Sequence, residues 1–164
     1  GMHFVVPKDY NMIEYFGKGP WENYNDRNYA SHVGHYKSSV DEQYVPYIAP
    51  EENGNKTDTR WLVMKDNEGY GLMVVGSPLF DFSALHYSQD DLNRKQRDGH
   101  HTIDLTKSSE VFVNIDLKQM GVGGDDAWGA RTHAEYTIKP EPMEFWYVLK
   151  PVIPGDNYWE KARH

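Results

Sequence analysis

Met120-Gly121-Val122-Gly123-Gly124-Asp125-Asp126-Ala127-Trp128-Gly129 sets one large indole at the end of a glycine-rich loop, beside two adjacent carboxylates. Glycines at 121, 123 and 124 let the backbone enter positive φ and approach other groups closely. A flat ring next to carboxylates suits a sugar, which offers an apolar face for stacking and hydroxyl edges for hydrogen bonding. Trp128, Asp125, Asp126 and Gly124 are therefore the candidate substrate-binding residues. The competing reading is a hairpin loop whose Trp closes the core, where most aromatics pack.

Other chemistry finds less support. Glycosidic hydrolysis needs two carboxyl groups on opposite sides of the scissile bond. Asp125-Asp126 and Glu51-Glu52 are adjacent pairs, and neighbours in extended chain point to opposite faces. Neither pair suits shared acid/base work, so no catalytic residue is assigned. His32-Val33-Gly34-His35 has metal-like spacing only on a helix, and it lies in a strand-like run. His100-His101 stands in a loop beside Gly99, without clustered further ligands. The Asp125-Asp126 loop lacks the spaced oxygen donors of a calcium loop. No metal and no cofactor is assigned to the chain.

Gly17-Lys18-Gly19-Pro20-Trp21-Glu22-Asn23-Tyr24-Asn25-Asp26-Arg27 starts like a phosphate turn but has no Walker pattern and leads into no helix. Glu22, Asp26 and Arg27 offer an internal charge pair, and Trp21 and Tyr24 offer anchors. A loop stitched by hydrogen bonds is the expectation, ahead of direct ligand contact.

These loops hang between period-2 segments. Strands are expected at Phe4–Val6, Met12–Phe16, His32–Val40, Arg60–Lys65, Tyr70–Gly76, Thr102–Leu105, Val111–Leu117, His133–Ile138 and Met143–Leu149. Asn/Gly/Asp clusters such as Glu52-Asn53-Gly54-Asn55 and Asp66-Asn67-Glu68-Gly69 reverse the chain between them. Strands at this spacing without alternating helices predict an all-β fold, an antiparallel β-sandwich. One short surface helix is expected from Ser88, a good N-cap followed by Asp90 and Asp91, to near Gly99, with Arg94, Lys95 and Arg97 in its last turn. The segment from Pro151 reads as an irregular extension, which divides the chain into a 1–150 domain and a 151–164 tail.

The chain has 164 residues, enough for one domain with a sizeable core. Aromatics make up 14% of it, which keeps a polar sequence in the folded class. The net charge of −8, with no basic stripe, argues against nucleic acid and anionic membranes as partners. The absence of cysteine excludes disulfides, a thiolate nucleophile and Cys-bound zinc, and leaves the compartment open. No apolar run reaches membrane-spanning length and no signal-like segment is present. Gly1-Met2 reads as a tag-cleavage scar, so the chain reads as a piece cut from a longer polypeptide.

Three motifs carry a family resemblance. Gly19-Pro20-Trp21-Glu22-Asn23-Tyr24-Asn25-Asp26-Arg27 resembles the Gly-Pro-x-Glu-Asn-Tyr-x-Asp-Arg signature of large β-galactosidases of glycoside hydrolase family 2. Tyr44-Val45-Pro46-Tyr47-Ile48-Ala49-Pro50-Glu51-Glu52-Asn53-Gly54 resembles that family's Tyr-x-Pro-Tyr-x-x-Pro-x-Glu-Asn-Gly segment. Asn114-Ile115-Asp116, followed by Met120 to Trp128, resembles its Asn-Ile-Asp…Met-Gly-x-Gly-Gly-Asp-Asp-Ser-Trp segment, with Ala127 in place of the Ser. The resemblance is to the C-terminal small-chain domain, domain 5, and implies part of a galactose mutarotase-like supersandwich. It also implies that the catalytic glutamates, together with most of the family's magnesium and sodium sites, belong to a barrel domain of the same polypeptide. Trp128 would then form part of the galactoside-binding platform. Half of a larger sandwich is expected to expose apolar surface or strand edges and to self-associate. A stand-alone carbohydrate-binding module and a mutarotase-like epimerase are the other readings. The second rests on fold similarity alone.

Overall fold

A computed structural model describes residues 1–93, 100–126 and 128–163. Seven strands form one antiparallel sheet: β1 (Met2–Pro7), β2 (Met12–Gly19), β3 (His32–Ser39), β4 (Lys56–Lys65), β5 (Gly71–Leu85), β6 (Glu110–Asp116) and β7 (Trp146–Val152). Their order is β1-β6-β5-β4-β2-β3, and β7 pairs with β5 as a branch. The first part of the 15-residue β5 pairs with β4 and β7, while Asp81 to Leu85 pair with β6. β5 thus has three strand neighbours, β4, β6 and β7.

Alternation explains this core. In β6, Val111, Val113 and Ile115 point inward while the residues between them are half-buried. They join Val6 of β1, Ile13 and Tyr15 of β2, Leu62 and Met64 of β4, and Phe80 and Phe82 of β5 in one cluster. Tyr15 meets Phe82 edge-on at 5.1 Å between centroids. β4 departs from simple alternation because both of its faces are covered. Trp61 and Val63 pack outward against Met73 and Val152.

The cover on that outer face comes from the tail, which is not irregular. β7 runs to Val152, and beyond it a one-turn helix, α2, spans Tyr158–Lys161. The Asn157 side chain caps α2 by accepting from the Trp159 and Glu160 N–H groups. Trp159 stands edge-on to Trp61 at 5.4 Å and packs on Phe16 at 4.8 Å. A single turn carries no readable helical period, so only its landing site reveals it.

Two expected strands are absent. Thr102–Asp104 is a 3-10 turn, in which the Asp104 carboxylate accepts the His101 N–H at 2.8 Å and the Thr102 N–H reaches the Ile48 carbonyl. His133–Ile138 holds another 3-10 turn, Ala134–Tyr136, closed on the His133 carbonyl. Local side-chain and turn bonds win at both places. The Met143–Leu149 strand begins only at Trp146. Ser88 caps α1 (Gln89–Leu92) through reciprocal bonds with Asp91, as its sequence predicts. The expected basic last turn, with Arg94, Lys95 and Arg97, lies outside the described residues.

Candidate functional site

The strand register brings the three motif loops together. Lys56 sits opposite Phe82, and Asp81 opposite Asp116, so the chain enters β4 and leaves β6 at the same level of the sheet. The first motif leaves β2 after Gly19, beside this point.

Glu22 is the node between the first and second motifs. Its nearly buried carboxylate accepts from the Arg27 guanidinium at 2.8 Å, the Gly54 N–H at 2.8 Å and the Tyr47 hydroxyl. Asn23 adds a second stitch. Its Nδ2 donates to the Lys18 and Trp21 carbonyls, and its Oδ1 accepts from the N–H and hydroxyl of Thr57. Asn53 clamps both the N–H and the carbonyl of Val45. The pinned loop foreseen from the sequence is therefore present. Tyr24 is its buried anchor, whereas Trp21 is exposed. Beneath it lies buried Lys56, whose Nζ donates to the Gly54 carbonyl. Burial pulls this ammonium down to about 8, against the opposing charge of Glu22.

The expected internal charge pair forms, and Asp26 stands outside it. Arg27 pairs with Glu22, and Asp26 instead crosses to the glycine loop, accepting from the N–H groups of Val122 at 3.1 Å and Gly123 at 2.7 Å. Asn25 supports it by donating to the Gln119 carbonyl at 2.7 Å. A β-carbon on Gly121 would sit 2.6 Å from Asp26 Oδ2, so this approach requires glycine. Gly123 and Gly124 take φ of 70° and 103°, the positive values their sequence allows. The Gln119 N–H is held by buried Asp81, whose carboxyl is pushed up to about 7, mainly by burial.

The loop tip is organised by its own acids. Asp126 Oδ1 accepts from the Trp128 N–H at 2.8 Å and the Ala130 N–H at 3.1 Å, and these bonds hold its carboxyl below the usual range. Asp125 Oδ2 meets His133 Nε2 at 2.5 Å, which raises the imidazole above its ordinary value. Thr132 donates to the Gly121 carbonyl and closes the base. Trp128 stands outside this frame, 94% exposed. It does not close the core.

Of the four candidate residues, Gly124 lines a cleft of about 500 Å³ with Arg27, Tyr47, Glu51, Glu52 and Thr132. Asp125 and Asp126 tie the loop, and Trp128 projects from it. Burial raises the Glu52 carboxyl in this cleft. Asp26, Thr132 and His133 were not singled out as loop anchors. Their partners lie about 97, 11 and 8 positions away, and only the Asp26 motif position hinted at a role. Among the described residues no three His, Asp or Glu side chains converge to hold a metal.

Comparison with known proteins follows the same residues. The family described as beta galactosidase small chain matches residues 1–149. Among similar proteins, a beta-galactosidase of Priestia megaterium is 41% identical over 138 residues, covering 84% of this chain and 13% of its own length. One from Vibrio cholerae is 37% identical over 150 residues, covering 92% and 14%. One from Streptococcus thermophilus is 30% identical over 154 residues, covering 93% and 15%. The chain thus spans about one seventh of the length of these curated relatives.

Proposed function

The chain belongs to the β-galactosidase small chain family, and on that premise we propose that it is a non-catalytic domain lending Trp128 to a galactoside site. The reacting carboxylates would lie elsewhere in the longer polypeptide, in a barrel domain against which this loop end packs. The observation that carries the reading is the fully presented indole on an anchored base. Asp26 and Thr132 secure the foot of the loop and Asp126 its tip, so Trp128 is exposed without the loop being free. Ordering a stacking ring before ligand arrives lowers the entropic cost of binding.

The carboxylates of the loop and its base are already engaged in holding the structure. Asp125 and Asp126 are engaged in the loop, and Glu22 is committed to Arg27, Tyr47 and Gly54. Recognition is the role this arrangement supports.

Stacking a sugar on one indole face removes about 80 Å² of apolar surface from water. At about 25 cal/mol/Å² this is about 2 kcal/mol, or about 30-fold in affinity. In the full-length enzyme, Trp128→Ala should raise KM for a nitrophenyl galactoside about 30-fold while lowering kcat less. Unchanged KM with kcat lost would defeat the proposal. The isolated chain should cleave no nitrophenyl galactoside, and measurable turnover would likewise defeat it.

A further inference from the structure

Most ties of the Trp128 loop run from loop to loop. Asn25 and Asp26 reach it from the first motif, and Thr132 and the Tyr136 carbonyl from its own returning limb. Among the described residues, Asp81 of β5 is the one strand side chain that hydrogen-bonds the loop, accepting the Gln119 N–H at 2.9 Å. Gln119 lies just beyond the end of β6, where the chain leaves the sheet. Acids crowd this point. Asp81 stands directly across from Asp116 in the β5–β6 ladder, so two carboxyls share one face. A register shift in β4 between Lys56 and Thr59 brings in Asp58, held at a φ of 53°. Its N–H also bonds Asp81, and its own carboxylate pairs with Lys18 at 3.0 Å.

Resting on the reading of Trp128 as a galactoside platform, we infer that Asp81 is a positioning residue for that ring. It ties the foot of the loop to the sheet through the Gln119 N–H, and the tie loosens when its carboxyl ionises. Asp81 is 5% exposed and has Asp58 and Asp116 as neighbours, so a charge there is disfavoured while the loop covers it. Burial accordingly outweighs the two main-chain N–H bonds and pushes the carboxyl up to about 7. Release of Gln119 opens Asp81 to a cleft of about 1000 Å³, which Lys118, Glu135, Tyr136, Lys139 and Glu141 also line. The two lysines balance the two glutamates across it, which leaves burial and the neighbouring aspartates to decide. Hydrated in the cleft, Asp81 returns to an ordinary carboxyl value. The tied state holds the higher pKa, so it is favoured at low pH and gives way as pH rises towards 7.

The size of the effect follows from the two proton affinities. With the carboxyl at about 7 when tied and at its ordinary value when released, the ratio of tied to released loop falls about 50-fold between pH 5 and 7. A loop free at its foot still holds to Asp26 but can turn about that contact. The indole then samples more placements, and the cost of ordering it returns at the moment of binding. Two substitutions separate charge from hydrogen bonding. Asp81→Asn keeps an oxygen to accept the Gln119 N–H and carries no charge, whereas Asp81→Ala removes the acceptor altogether.

Amide hydrogen exchange of the full chain, followed by NMR and corrected for the intrinsic rate, reads the tie directly. Wild-type Gln119 should lose protection about 50-fold from pH 5 to 7 and should exchange well ahead of Val113 in the core. Asp81→Asn should give a flat profile, and Asp81→Ala should exchange at Gln119 about 10-fold faster than the wild type at pH 5. Far-UV circular dichroism monitors folding, and should Asp81→Ala perturb it, the Asp81→Asn profile carries the test. In the full-length enzyme, Asp81→Ala should raise KM for a nitrophenyl galactoside about 5-fold with kcat within about 2-fold, and Asp81→Asn should restore the wild-type KM. Gln119 exchanging together with Val113, or a pH profile unchanged in Asp81→Asn, overturns the tie. If Trp128→Ala raises KM and Asp81→Ala does not, the positioning role falls while the galactoside reading stands. If Trp128→Ala leaves KM unchanged, that reading fails, and the exchange profile still decides whether Asp81 governs the loop.

Discussion

Glu22→Ala should be among the most damaging single changes outside the hydrophobic core. The wild-type carboxylate is 6% exposed and accepts from a main-chain N–H, a guanidinium and two hydroxyls, that of Tyr47 and, at 3.5 Å, that of buried Tyr24. Removing it strands the buried Gly54 N–H, which water cannot reach, at about 1–3 kcal/mol. The Tyr47 hydroxyl is half-buried and recovers part of its loss in water. Arg27 is half-exposed, and its share after solvent screening is under about 1 kcal/mol. The total is about 3 kcal/mol, a fall in Tm of about 6–12 °C for a chain of this size. Urea and thermal unfolding followed by circular dichroism would measure it. Arg27→Ala should cost under about 1 kcal/mol by the same assay, and Glu22→Gln should fall between the two. If Arg27→Ala cost as much as Glu22→Ala, the exposed ion pair rather than the buried acceptor would be the source, and the reasoning would fail.

Two further outcomes follow from the loop supports. Gly121→Ala should destabilise the chain by about 1–3 kcal/mol, because the new methyl group must displace Asp26 or Thr132. Hydrogen exchange at Val122 and Gly123 should then rise, and unchanged protection there would contradict the Asp26 anchor. Asp81 gives a pH dependence. Its folded-state pKa of about 7 lies above the ordinary carboxyl value, so its stabilising contribution is complete below about pH 4 and is lost as pH rises through 7. Stability should therefore decline between about pH 4 and 7, and Asp81→Asn should flatten that slope. A wild-type slope of the opposite sign that persists in Asp81→Asn would refute the burial argument.

Several elements were legible before folding because their causes are local. Alternation in Val111 to Ile115 reflects one buried face. The Ser88 cap is a bond to Asp91, three residues away. Gly123 and Gly124 have the positive φ values that their residue type permits. The misread strands at 102–105 and 133–138 show the limit of this reasoning. Alternation is necessary for a half-buried strand, but a strand also needs a partner, and there Asp104 and the His133 carbonyl close local turns first.

The sequence by itself determined the all-β class, the three motifs and their family, and the singling out of Trp128. These are properties of residue type and order. Tertiary structure alone decided that Asp26 bonds Gly123 across 97 positions and that the tail covers Trp61. It also decided that Trp128 faces solvent while Tyr24, in a similar motif setting, is buried. Both are aromatics on polar, turn-rich loops, and transfer free energy favours burying either one. Which ring is buried depends on where the strand register delivers each loop, and register is set by contacts between residues far apart in the chain.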